Sequence, residues 1–174
     1  MRNPRTADDS NRQLHLSCGP NVVVVRIVSG GQTGADRGGL DAAAILQLKH
    51  GGWCPRGRRA EDGRIPDSYE LRETSSDSYV PRTEMNVRDS DATVIFTRGP
   101  LTGGSALTAR AARACGRRCL HIDIDVEMDP AGRLRAWCEQ HGVVTLNVAG
   151  SRESKAPGIH ARTRAIVVAA LRRA

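Results

Sequence analysis

The chain has 174 residues, a length that fits one domain and can bury a real core, but aromatic residues make up only 3%, so the core has to be built from Val, Ile, Leu and Ala. No stretch approaches the roughly 20 consecutive apolar residues that a membrane span requires. Net charge is +7 with 26 Lys and Arg, all of them arginine except Lys49 and Lys155. That charge admits an anionic ligand, while the shortage of rings for stacking bases argues against nucleic acid as partner.

Residues 1–21, MRNPRTADDSNRQLHLSCGPN, lack the apolar block of a signal peptide and read as a flexible polar arm ahead of one domain at 22–174. Cysteines at 18, 54, 115, 119 and 138 form no CxxC pair, so free thiols in a reducing cytoplasm are the simplest reading. NVVVVRIVS (21–29) is a near-continuous β-branched run, the mark of a central strand in a parallel sheet. ADRGGLDAAAILQLKH (35–50) spaces Leu40, Ala44 and Leu48 four apart, which predicts a helix. The segment 51–90 shows little periodicity and reads as an irregular covering insertion, with a short helix only at 82–90.

DATVIFT (91–97) is the next buried-type strand, followed by a helix over 103–118 that Gly116 stops. RCLHIDI (118–124) is a strand, and DPAGRLRAWCEQHG (129–142) a helix with Asp129 as N-cap and Pro130 in its first position. VVTLNVAG (143–150) is a strand, and 158–174 closes the chain as a helix. The alternation predicts an α/β fold: a Rossmann-like, doubly wound, mostly parallel sheet flanked by helices.

SGGQTGAD (29–36) leaves a strand and opens a helix, the place where an open parallel sheet binds ligands. Gly30, Gly31 and Gly34 let the backbone approach closely. Gln32, Thr33 and Asp36 add polar side chains, and the unpaired N–H groups of a first helical turn attract an oxyanion. The loop is neither a P-loop nor a full GxGxxG fingerprint; its plainer alternative is a tight turn. TRGPLTGGSALTA (97–109) repeats the design, with Arg98 and Gly99 past the strand end and Thr102, Gly103, Gly104 and Ser105 at a helix start. The two loops face one ligand if their strands are adjacent. A third strand-end loop, NVAGSRESKAPGIH (147–160), offers Ser151, Arg152, Ser154 and Lys155.

Trp53 is read as a stacking platform or, by slight preference, an anchor for the insertion. Residues 82–88 supply Arg82, Thr83, Glu84, Asn86 and Arg88, whose plain role is a network tying the segment to the sheet. Asp123 and Asp125 either meet a ligand's hydroxyl or amine, or cap a loop. His50 and Cys54 lack a second pair at zinc spacing, so no metal site is expected. No catalytic Ser–His–Asp set is evident.

SGGQTGADRGGLDAA, HGGWCPRGRRAEDGRIPDSYELRET, RTEMNVRDSDATVIF, LTGGSALTA and LNVAGSRESKAPGI together resemble the putative molybdenum carrier family, from about Val25 to the last helix. The resemblance implies a Rossmann-like fold related to the Lonely Guy phosphoribohydrolases and the so-called lysine decarboxylase-like proteins. It also implies handling of the molybdenum cofactor, a pterin bearing a phosphate and a dithiolene-held oxo-metal, by a cytoplasmic homo-oligomer that serves molybdenum-cofactor enzymes or synthesis proteins. The hydrolase relatives carry PGGxGTxxE. Here Leu101 and Thr102 replace its lead-in, Ala106 and Leu107 its Gly-Thr, and Arg110 its glutamate. That departure favours binding of a phosphate-bearing small molecule over catalysis. The alternatives are a nucleotide-processing hydrolase, with a carboxylate such as Glu84 standing in, or a non-catalytic nucleotide sensor.

Overall fold

A computed structural model describes residues 24–172; the arm expected at 1–21 lies outside them. Six strands form one all-parallel sheet: β1 (Arg26–Val28), β2 (Lys49–Cys54), β5 (Leu71–Glu73), β6 (Ala92–Thr97), β7 (Arg118–Asp123) and β8 (Thr145–Gly150). A separate hairpin pairs β3 (Arg59–Ala60) with β4 (Gly63–Arg64). The helices are α1 (Ala35–Ile45), α2 (Tyr79–Arg88), α3 (Gly103–Ala114), α4 (Pro130–His141) and α5 (Ile159–Leu171). The fold is thus α/β and Rossmann-like, and among the described residues no helix is long and apolar enough to cross a membrane.

The sheet order is β5-β2-β1-β8-β6-β7. The last strand sits in the middle, with Ile27 of β1 beside Leu146 on one flank and Val94 of β6 beside Val148 on the other. The strands of the two glycine loops are therefore not adjacent; β8 separates them.

Alternation along the strands makes two unlike faces. One face carries Ile27, Val94, Phe96, Leu120, Ile122, Leu146 and Val148, which join Ala42 and Ala43 of α1, Leu134 and Cys138 of α4 and Ile166 and Val167 of α5 in the main core. Close approach of α1 is built in: a methyl on Gly39 would lie 2.6 Å from the Val148 side chain. The other face is more polar, with Asn147 Nδ2 donating to Thr93 Oγ1 at 3.1 Å and Ser29 Oγ to the Val148 carbonyl at 2.6 Å. Among the described residues, Val87 of α2 and Ala111 and Ala112 of α3 form the one apolar cluster outside the main core. α2 and α3 pack together, away from α5, against which both α1 and α4 pack.

Local signals explain most boundaries. Asp129 accepts the Gly132 N–H at 2.9 Å and Pro130 begins α4, which ends at Gly142 in a left-handed conformation (φ 63°). The helix expected over 35–50 stops at Ile45, because Gln47 turns to φ 56° and the chain enters β2. The segment 51–90 is not an irregular cover: it contributes two strands to the sheet, the hairpin and a helix that begins at Tyr79 rather than 82.

Candidate functional site

Three strand-end loops do converge. A cavity of about 510 Å³ is lined by Gln32 and Asp36 from the first, by Thr102, Gly103, Gly104 and Ser105 from the second, and by Ser151, Arg152 and Lys155 from the third. Tyr79, Arg82 and Thr83 of α2 form a further wall. The space lies at the carboxyl ends of β1, β8 and β6, where winding of the sheet changes direction.

The first loop works differently from the sequence expectation. Its amides are largely spent inside the protein: Gln32 N–H donates to Asp36 Oδ2 at 3.3 Å, Thr33 N–H to Gln32 Oε1 at 3.1 Å and Ala35 N–H to the Ser151 carbonyl at 3.1 Å. A carboxylate of the same helix already occupies the positive end of α1, so that end is not the oxyanion hole the glycine pattern suggested. Gly30, Gly31, Thr33 and Gly34 are not in the wall of this cavity; Thr33 and Gly34 instead line a neighbouring hollow of about 660 Å³ with Arg37, Glu61 and Ser154. A Cβ on Gly30 would sit 1.6 Å from Arg82 Nη1, one on Gly31 2.4 Å from Leu71, and one on Gly34 2.4 Å from the Ser151 carbonyl.

Arg82 uses the groove above Gly30 to reach Asp36 Oδ2 at 3.0 Å. Burial raises the pKa of Asp36, against the pull of Arg82 and of the Gln32 N–H. Arg82 Nε is buried with no partner among the described residues. The guanidinium carbons of Arg82 and Arg152 lie 5.7 and 4.9 Å from the Tyr79 ring centre, so the ring holds both cations at the cavity. Lys155 is a third.

The second loop keeps its amides. Gly103 and Gly104 open α3, and their N–H groups have no partner among the described residues. Ser105 Oγ takes the Thr102 N–H at 2.9 Å and donates to the Thr102 carbonyl at 2.7 Å, so its hydroxyl braces the helix start. Arg98 and Gly99 are not brought to the cavity: Arg98 pairs with Asp125 at 2.9 Å on the surface, and the Gly99 carbonyl accepts from Thr97 Oγ1 at 2.6 Å. Asp123 caps the same turn by accepting the Asp125 N–H. Glu84, the carboxylate nominated for a hydrolase, is exposed on α2 outside the cavity wall.

The segment 51–90 is fastened rather than loose. Arg58, buried and at φ 52°, donates to the carbonyls of Ile65, Pro66, Tyr69 and Leu71. Arg37 grips Asp62 through two bonds of 2.6 and 2.8 Å. Glu61 accepts from Thr33 and Ser154, bonds that outweigh its burial and hold its pKa below the ordinary carboxylate value. Trp53 anchors: its indole N–H donates to Asp89 at 2.8 Å, and Asn86 bonds both backbone groups of Trp53.

The sequence from 27 to 171 matches the family model described as the circularly permutated YpsA SLOG family. The chain belongs to that family. A solved structure, that of a putative molybdenum carrier protein from Syntrophus aciditrophicus SB, is 43% identical, with a TM-score of 0.84 over 86% of this chain and 96% of that one. No curated protein matches. The permutation is visible in this SLOG protein's sheet. Counted from β8, the strand order becomes 4-3-2-1-5-6, an uninterrupted winding that reverses beside β8.

Proposed function

We propose that this protein binds and carries a phosphate-bearing small molecule in the cavity between α2, α3 and the β8–α5 loop, with the molybdenum cofactor as first candidate. The supporting observation is the convergence of Arg82, Arg152 and Lys155 on the unpaired Gly103 and Gly104 amides at the start of α3. Arg82 Nε, buried without a partner, is a donor that an oxyanion would satisfy. Among the described residues the wall has neither Cys nor His, so a metal there would keep the ligands its own cofactor supplies while the protein holds phosphate and oxo groups. The name of the 43% identical neighbour points the same way.

The reading carries with it a homo-oligomer in the cytoplasm that hands its cargo to molybdenum-cofactor enzymes or synthesis proteins. The test is to incubate purified protein with the cofactor and separate bound from free. Retention supports the carrier reading; loss of the cofactor with retention of nucleotides rejects the cofactor and keeps the anion site. A hydrolase reading keeps one observation, that Asp36 is a carboxylate in the cavity wall. Release of free base from nucleoside monophosphates tests it.

A further inference from the structure

The cavity wall contains an open donor and an open acceptor whose pairing a lone anion cannot complete, because the acceptor is a carboxylate oxygen. Gln32 is 4% exposed, and its amide orientation is fixed because Oε1 accepts from both Thr33 N–H and Glu61 N–H, at 3.1 and 2.9 Å. Its Nε2 is left buried with no partner among the described residues. A buried amide donor left unpaired is costly and calls for an acceptor. Beside it, Asp36 uses only Oδ2 for Arg82 and the Gln32 N–H; Oδ1 accepts no hydrogen bond among the described residues. An acceptor there would be repelled, so Oδ1 calls for a ligand N–H or O–H.

Three of the other polar side chains nearby are already engaged, whereas the hydroxyls of Tyr79, Thr102 and Ser151 stay open to a ligand but lack the fixed donor–acceptor pairing of Gln32 and Asp36. Thr83 Oγ1 donates to the Tyr79 carbonyl at 2.9 Å, Thr108 Oγ1 to the Gly104 carbonyl at 3.0 Å and Ser105 Oγ to Thr102. Their protons are spent on the backbone, and the remaining cavity groups with charge are cations.

We infer that Asp36 and Gln32 form a reading edge for a nitrogen heterocycle, accepting from a ring or exocyclic N–H and donating to an adjacent ring nitrogen or carbonyl, while the phosphate of the same ligand meets the cations and the α3 amides. This rests on the anion-binding reading above and adds the chemistry of the other end of the ligand. Purines and pterins share such an edge, with donor and acceptor side by side. A cavity of about 510 Å³ falls within the range that holds a molecule of this size.

The experiment is equilibrium dialysis or calorimetry on the full chain with AMP, GMP, 6-hydroxymethylpterin phosphate, purine riboside 5′-monophosphate, ribose 5-phosphate and inorganic phosphate. At least one of the first three is expected to bind about tenfold tighter than ribose 5-phosphate, and which one does so separates a purine from a pterin source. If AMP is that ligand, purine riboside 5′-monophosphate, which lacks the exocyclic donor, falls back toward ribose 5-phosphate. Asp36→Asn and Gln32→Glu both collapse the ratio between heterocycle and ribose phosphate toward one. Gln32→Glu keeps an acceptor for the Thr33 and Glu61 amides, so it serves if Asp36→Asn fails to fold. Equal binding of all phosphate esters, or an unchanged ratio in Gln32→Glu, overturns the reading edge and leaves the anion site standing. Failure of every probe to bind, inorganic phosphate included, overturns both.

Discussion

Replacing Gly30 with alanine tests the central geometry with a single methyl. The added carbon would lie 1.6 Å from Arg82 Nη1, 2.5 Å from Arg82 Cζ and 2.9 Å from Asp36 Oδ2. Gly30 is not among the residues of positive φ, so alanine brings no backbone strain, and the effect is steric. The guanidinium is the mobile partner and must swing away, leaving Asp36 buried without its cation. Removing one member of a buried ion pair costs about 3–5 kcal/mol. Arg82 keeps 14% of its side chain exposed, which softens the loss to about 2–3 kcal/mol. For a domain of this size that lowers the melting temperature by roughly 5–10 °C.

The penalty depends on charge. Burial already raises the pKa of Asp36, and loss of Arg82 raises it further. The destabilisation is therefore full near neutral pH and shrinks on acidification, as Asp36 takes up a proton and no longer needs a cation. Thermal melts of wild type, Gly30→Ala, Arg82→Ala and the double variant form the assay. The two changes are expected to be strongly non-additive, because the second removes the group that the first displaces. Additive losses, or a Gly30→Ala protein that melts like wild type at pH 7, would refute the reasoning.

Lys155→Met should weaken binding of inorganic phosphate or a phosphate ester about tenfold. Arg98→Met, which only breaks the surface pair with Asp125, should leave it within about twofold; titration calorimetry separates them. Burial and the hydrogen bond to Asp41 push Tyr69 from 10.0 to about 12. Its contribution to stability is thus complete below pH 10 and lost as pH rises toward 12, and denaturant midpoints across that window should fall less steeply in Tyr69→Phe. Cys54 and Cys138 are buried, and burial pushes the Cys138 thiol up to about 12. Of the described cysteines, exposed Cys115 should react with a thiol reagent in the native protein, whereas Cys54 and Cys138 should react only after unfolding.

Strands β6, β7 and β8 and the caps of α4 were legible because β-branched runs and an Asp-Pro pair act locally. Strand β2 was not: KHGGWC has no β-branched residue, and it is made a strand by pairing with β1 and β5. The place of β8 was also hidden, since no local signal tells the last strand to enter the middle of a sheet. In the site, Gly103, Gly104, Ser151 and Lys155 followed from their positions at strand ends. The inward turn of the Gln32 and Thr33 amides did not, because it depends on where the Asp36 and Gln32 side chains fold back. Arg82, read from the sequence only as part of a tethering network, gained its second role from a pairing across 46 residues that a glycine makes room for. Tyr79, which holds Arg152 and Arg82 at the wall, carried no signal at all.

The position of β8 sets the order in which this candidate site can come into being. On the ribosome the halves holding Gln32–Asp36 and Thr102–Ser105 are made first, yet the strand that joins them, Thr145–Gly150, emerges after both. Until it arrives, β1 and β6 have bare edges facing each other across a one-strand gap. The nascent chain therefore stays without the cavity between its loops until Thr145–Gly150 has been translated, and a product ending before Thr145 would expose two sticky borders rather than a weakened cavity.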